Sequence, residues 1–322
     1  MEQKYTLRNL SCSKTLSENS HPSHSEKPFI TGSKLHPIFA IEITPVNEKI
    51  SKLPIVMIHG GFHSGKAYLQ TPDDRKAWSL LFAERGHRVI VPDWPAHGQS
   101  PGLEKILQLS THDVASSLGV LISDLGPCIL MAHSAAGPIA WWLAENYPDL
   151  IHAIVGLAPG PPANILPALP DDPVAVEALR HDTAVGCPIY AHPTEAVHVD
   201  ADFIKSFWAN SPQFPISAFD QYAKTIGPES PRVLNERFNI GGSGLRIKDI
   251  ELVRQRPILI VTGEQDLRHS KQVDAALAEY LGATHLWLPD KHVHQNGHML
   301  MIELNSHDIA QLIMTWLSQQ HL

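Results

Sequence analysis

CILMAHSAAGPIAWWLAENYP (residues 128–148) is the stretch that decides the architecture. It opens with a short apolar run, as a strand buried on both faces requires. From Ala135 the apolar residues take helical spacing. A strand that becomes a helix this abruptly needs a sharp turn, and the residues at the junction, Ala132-His133-Ser134-Ala135-Ala136-Gly137, are mostly small. Small side chains two places either side of Ser134 let the strand and helix backbones pass closely, lifting the serine hydroxyl to the end of the sheet. The same six residues also fit a plainer role, with Ser134 simply capping the helix.

Outward from this unit the pattern repeats. LPIVMIHG (53–60), HRVIVPD (87–93), HAIVGLAP (152–159), RPILIVTGEQD (256–266) and HLWLPD (285–290) read as strands, and IFAIEIT (38–44) alternates like an antiparallel edge strand. Helical spacing falls at 74–86, 110–126, 135–148, 270–281 and 303–320. Alternation of this kind predicts a parallel sheet with helices on both faces. The rhythm breaks between 160 and 250, where prolines and short amphipathic pieces replace buried strands. The domain organisation expected is a flexible arm over 1–27, a core over 28–159 and 251–322, and a cap over 160–250. Phe203, Phe207 and Trp208 in the cap would dock it, with an apolar lid as the alternative. Trp141 and Trp142 read as core.

Of 322 residues 43% are hydrophobic and 18% charged, so there is ample material for a large core. A net charge of −8 argues against nucleic acid or an anionic membrane surface as partner. No apolar run is long enough to span a bilayer, and the first twenty residues lack the apolar stretch of a secretory signal. Cys12, Cys128 and Cys187 are widely spaced and odd in number, which fits a reduced, cytoplasmic protein. A chain whose export signal had been removed would look the same. Among the 20 histidines the densest run is 292–298, which lacks HExxH and any cysteine or carboxylate at ligand spacing, so no metal is expected.

Three features carry chemistry. Ser134 is the candidate nucleophile. His59-Gly60-Gly61-Phe62-His63-Ser64-Gly65 follows a buried strand, where backbone N–H groups could face a developing oxyanion. Gly61 or Phe62 would supply one donor, and Ala135 the other. A strand-ending glycine turn is the plainer reading; a phosphate loop is not, because Ala67 follows Gly65-Lys66. Asp266 lies just after a strand and His298 lies after the last strand, in the chain order Ser, Asp, His that a triad needs on such a sheet. His298 would take the serine proton and Asp266 would orient it, with Glu264 the nearest rival. His63 and His133 are candidate substrate contacts, and Asp93 is expected to fix its loop through hydrogen bonds.

These residues resemble the α/β-hydrolase superfamily over roughly residues 38–320. HGGFHSGKAYLQTPDDRKAW resembles a group of bacterial serine esterases with an HG…TPDGR segment. VPDWPAHGQS (91–100) is similar to their D-x-x-G-x-G-x-S loop, with His97 in place of the first glycine, and QNGHMLMIELNS (295–306) is similar to their histidine loop. Some of those esterases take their acid from a Glu after the strand that follows the nucleophile helix. This chain has Ala158 there, which favours Asp266. The resemblance implies an α/β-hydrolase fold with a mostly parallel sheet of about eight strands and a helical cap. It also implies cleavage of a small, largely neutral ester through an acyl-enzyme, without a cofactor. Lactone, thioester, amide and carbon–carbon cleavage use the same residues, and a hydrolase fold serving as a ligand-binding protein stays open. The resemblance leaves room for a homodimer.

Overall fold

The computed structural model describes residues 24–46 and 52–322. Cys12 and residues 1–23 of the expected arm lie outside them. Eight strands form one sheet: β1 (His24–Gly32), β2 (Pro37–Pro45), β3 (Ile55–Ile58), β4 (Val89–Pro92), β5 (Cys128–His133), β6 (Ile151–Leu157), β7 (Ile258–Thr262) and β8 (Thr284–Trp287). Their order is β1-β2-β4-β3-β5-β6-β7-β8. β1 and β2 pair antiparallel, β2 is antiparallel to β4, and every other pairing is parallel.

The edge corrects one expectation. Strand structure begins at His24 and runs through Gly32 before turning back, so residues 24–27 belong to the sheet and not to the arm. The register shows why: Lys27 and Glu26 sit opposite Glu42 and Ile43, and an exposed edge strand carries polar side chains that composition reads as a loose segment.

The central strands are buried on both faces, and alternate residues feed two separate cores. Ile55, Met57, Ile129 and Met131 pack with Trp78, Phe82, Ile309, Ile313 and Leu317 from the helices Trp78–Ala83 and Ser306–Gln319. Val56, Ile58, Leu130 and Ala132 pack on the other face. Their partners there include Leu118, Ile122, Ile139, Leu143 and Leu277, from the helices Thr111–Leu125, Gly137–Asn146 and Lys271–Leu281. The helix expected over 74–86 is shorter at its start, because Asp74 has φ +60° and Ala77 is extended.

Between β6 and β7 the chain forms short helices, among them Ala201–Phe207 and Pro231–Arg237, capped by Asp200 and Ser230 side chains. Ile204, Trp208, Phe214, Tyr222, Leu234 and Phe238 from this segment join the same core as Phe62. The segment is tied to the loop after β3 by the Gly227 N–H, which donates to the Phe62 carbonyl at 2.8 Å. No helix among the described residues is long and apolar enough to cross a membrane.

Candidate active site

β5 lies between β3 and β6, and Ala132 pairs with Ile58 on one side and Gly156 on the other. The chain therefore turns at Ser134 where the loops after β3 and β6 both begin. Ser134 has φ +53°, a left-handed conformation that costs a non-glycine residue on the order of 1–3 kcal/mol. The surroundings hold it there. Its carbonyl accepts the Gly160 N–H at 2.7 Å, and the helix starts at Gly137 with Pro138 in its first turn. Gly137 is the tightest point of the turn: a methyl group on it would sit inside the backbone of Gly160.

Ser134, His298 and Asp266 come together from β5, the loop before the last helix, and the end of β7. His298 Nδ1 lies 2.6 Å from Asp266 Oδ2, and His298 Nε2 lies 3.0 Å from Ser134 Oγ. Asp266 Oδ1 accepts the N–H groups of Arg268 (2.9 Å) and His269 (3.2 Å). Burial works to raise the Asp266 pKa, but the neighbouring His298, its hydrogen bond and His269 outweigh it and hold the carboxyl well below the usual range. Asp266 thus remains an acceptor, so Nδ1 carries the imidazole proton and Nε2 is free to accept from Ser134. Burial lowers the His298 pKa, with Asp266 working against it, which favours the neutral ring a base needs. Glu264 is turned elsewhere: its carboxylate accepts the Gln295 N–H at 2.9 Å.

A buried carboxylate shapes the histidine loop. Glu303 Oε1 accepts Ser211 Oγ–H and Gly297 N–H, and Oε2 accepts Asn296 Nδ2–H, each at 2.6 Å. Burial pushes its pKa up to about 7 against these donors. Arg75, from the TPDDR segment, donates to the carbonyls of Ile302 (2.6 Å) and Glu303 (2.9 Å) and so ties that segment to the same loop. Both residues lie in the quoted sequence segments, but their partners become evident only in three dimensions. His292 and His294 are exposed while His298 is buried, so the histidine run diverges.

The loop after β3 lies over Ser134. A methyl on Gly60 would come within 2.9 Å of Ser134 Cβ and His133 Nδ1, so the close approach requires glycine. Phe62 has φ +64°, and its N–H donates to Glu229 Oε2 at 2.9 Å. That donor, expected to face an oxyanion, is engaged by a carboxylate that sequence reasoning missed. Glu229 Oε1 accepts the Ser230 N–H at 2.7 Å and lies 3.2 Å from His97 Nε2, a charge contact outside hydrogen-bond geometry. Burial works to lower the His97 pKa, but Glu229 outweighs it and the pKa is raised. Asp93 accepts the N–H groups of Gly65 and Gln99, both at 2.7 Å, and so ties its own loop to the one after β3.

His63 Nδ1–H donates to the Gly61 carbonyl at 2.7 Å, and Nε2 accepts Tyr222 O–H at 2.8 Å; burial pushes its pKa down to about 4. His133 Nε2–H donates to the His298 carbonyl at 3.0 Å, and burial also holds its pKa well below the ordinary value. His133 thus braces the histidine loop from beneath.

Ser134, Ala135, Gly61, Phe62, His63 and His298 open onto a narrow cleft of about 30 Å³, whose outer wall comes from the β6–β7 segment: Trp208, Glu229, Val233, Leu234, Arg237 and Phe238. Arg268 completes it. A larger cleft of about 320 Å³ also touches His63 and does not reach Ser134.

The family described as alpha/beta hydrolase fold matches residues 54–303. The chain is 22% identical to a probable secreted lipase, phiG, of a fungal species (strain ATCC 74256), over 88% of this chain and 86% of that one. Among solved structures it resembles an esterase from Exiguobacterium antarcticum (TM-score 0.62, 15% identity, 90% of this chain and 98% of that one). It also resembles a bacterial esterase at TM-score 0.58 and 16% identity, over 95% of this chain and 99% of that one. At these identities the structural likeness speaks to fold. With the family match running over most of its length and the sheet in agreement, the chain belongs to the alpha/beta hydrolase fold family.

Proposed function

We propose that this hydrolase cleaves a carboxylic ester of a small molecule through an acyl-enzyme on Ser134. What carries the reading is the hydrogen-bonded relay from Asp266 through His298 to Ser134, at 2.6 and 3.0 Å. Ser134 Oγ attacks the ester carbonyl as its proton passes to His298 Nε2, and Asp266 stabilises the imidazolium. The tetrahedral oxyanion is held by the Ala135 N–H and by Gly61 or Phe62. Collapse expels the alcohol, which takes the proton from His298. Water then repeats the cycle, giving up a proton to His298, releasing the acid and restoring Ser134. Residues 160–250 act as the cap that walls the cleft.

One observation favours a second reading, a ligand-binding protein with little turnover: the Phe62 N–H is already held by Glu229. Intact mass after incubation with a fluorophosphonate, with turnover of 4-nitrophenyl acetate measured alongside, separates the two. An adduct on wild type, none on Ser134→Ala, and catalytic ester turnover are expected. An adduct without turnover would favour the binding reading. A folded wild type without adduct would overturn Ser134 as nucleophile.

A further inference from the structure

The charged groups around the cleft are unevenly satisfied. Asp266 has His298 and two backbone N–H groups. Glu229 has the Phe62 and Ser230 N–H groups and lies against His97. Arg268 and Arg237 line the same cleft, yet neither forms an ion pair with a carboxylate among the described residues. Arg268 Nε and Nη2 are buried with no hydrogen-bond partner. The burial that leaves them so pushes the pKa of each guanidinium down to about 10. Each stays cationic at neutral pH; Asp266 acts on both, but neither has a carboxylate at ion-pair distance among the described residues. A half-buried guanidinium without a direct partner favours an anion beside it.

Packing does not account for the arrangement. The Arg268 guanidinium lies 4.6 Å from the Phe207 ring centroid and 5.3 Å from that of Phe203. Ring contacts hold the guanidinium without using its N–H groups. Phe203 and Phe207 therefore hold the Arg268 guanidinium in the wall of the cleft that Ser134 and His298 also line.

We infer that the cleft takes an ester bearing a second, free carboxylate, drawn by the guanidinium groups of Arg268 and Arg237 in its wall. This departs from the largely neutral substrate expected from the sequence, and it rests on the ester-hydrolase reading. A monoester of a dicarboxylic acid meets both needs: the scissile carbonyl goes to Ser134 and the remaining carboxylate to Arg268.

The test compares monomethyl glutarate with dimethyl glutarate, which differ in the charge and one methyl group. Methanol release gives kcat/KM for each, and their ratio does not depend on the fraction of active enzyme. Wild type is expected to favour the monoanion, and Arg268→Gln to reduce the ratio about tenfold or more, as loss of a partly desolvated charge partner does. Arg268→Lys, which keeps the charge on a different head group, is expected to fall between them. A wild-type preference for the diester, or an unchanged ratio in Arg268→Gln, would overturn the inference while leaving ester hydrolysis standing. Calorimetry of monomethyl glutarate on Ser134→Ala reads binding without turnover. Binding that Arg268→Gln abolishes in that background supports the anion site even if Ser134 proves unreactive, and no binding counts against it.

Discussion

Replacing Asp266 by Asn turns one oxygen into an NH2 group and leaves size and shape alone, and the surroundings dictate where the NH2 must go. Oδ1 accepts two backbone donors, from Arg268 and His269, that cannot move aside. The amide oxygen must stay there, so the NH2 takes the place of Oδ2, 2.6 Å from His298 Nδ1. An NH2 group only donates. His298 must then carry its proton on Nε2, which faces Ser134 Oγ at 3.0 Å and can no longer accept from it. Loss of the correct tautomer costs a triad enzyme about 10⁴ in rate, or about 5 kcal/mol in the barrier. The assay is kcat/KM for 4-nitrophenyl acetate together with the fluorophosphonate labelling rate, on variants whose circular dichroism and unfolding match wild type. Glu264→Gln is expected to stay within a few fold, since its carboxylate serves only the Gln295 N–H and a distant His294. An Asp266→Asn enzyme within tenfold of wild type, or an equal loss in Glu264→Gln, would refute the argument.

Other outcomes follow from the same geometry. In the proposed mechanism activity needs neutral His298, whose pKa is lowered by burial; kcat/KM should rise with pH to a plateau with its midpoint below 6.5, and a midpoint above 7 would contradict this. Glu303 is raised from 4.5 to about 7, so ionising it costs about 3 kcal/mol more in the folded protein than in the unfolded chain. The protonated carboxyl's advantage is complete below pH 4.5 and is lost as pH climbs through about 7. Urea unfolding of wild type and Glu303→Gln should therefore give a stability difference that moves in the variant's favour by about 3 kcal/mol over that range; a flat difference would count against it. Gly137→Ala would drive a methyl into the Gly160 backbone, costing about 3 kcal/mol or more, read as a lowered urea midpoint. His97→Gly would leave Glu229 buried without the imidazole beside it, and unfolding should show a loss of about 3 kcal/mol; an unchanged midpoint would mean that the contact adds nothing to stability.

What the sequence made legible is what local order encodes. Continuous apolar runs such as 55–58 and 129–132 can only be strands buried on both faces, and the helices between them force parallel pairing. Ser134, Asp266 and His298 were legible because each sits at a strand end or in a loop whose place in the chain is recognisable. Glu229, Arg237 and Arg268 were not, because a charged residue in an amphipathic stretch reads as solvent-facing until the tertiary fold buries it, as with Glu229, or turns it into a cleft wall, as with the arginines. The start of β1 was missed for the related reason that an edge strand needs no apolar pattern. Glu303 lay within a quoted segment, but its role depends on Ser211 in the β6–β7 segment, a contact that no local pattern announces.

The departures from the esterase-like pattern are not scattered. His97 stands where the resemblance calls for glycine, and its ring meets Glu229 with both side chains almost wholly buried. Glu229 in turn holds the Phe62 N–H. A carboxylate buried alone would cost several kcal/mol, so Glu229 is tolerable only with a cation or donors on both oxygens. His97, Ser230 and Phe62 supply these, and the three elements they come from are thereby joined across the cleft. The consequence for chemistry is electrostatic. Asp266 acts on both guanidinium groups in the cleft wall, Arg237 and Arg268, while Glu229 acts on His97 and His63. The substitution at 97 thus belongs to the charge balance on the Glu229 side of the cleft, and the arginines answer to the catalytic-site carboxylate on the other.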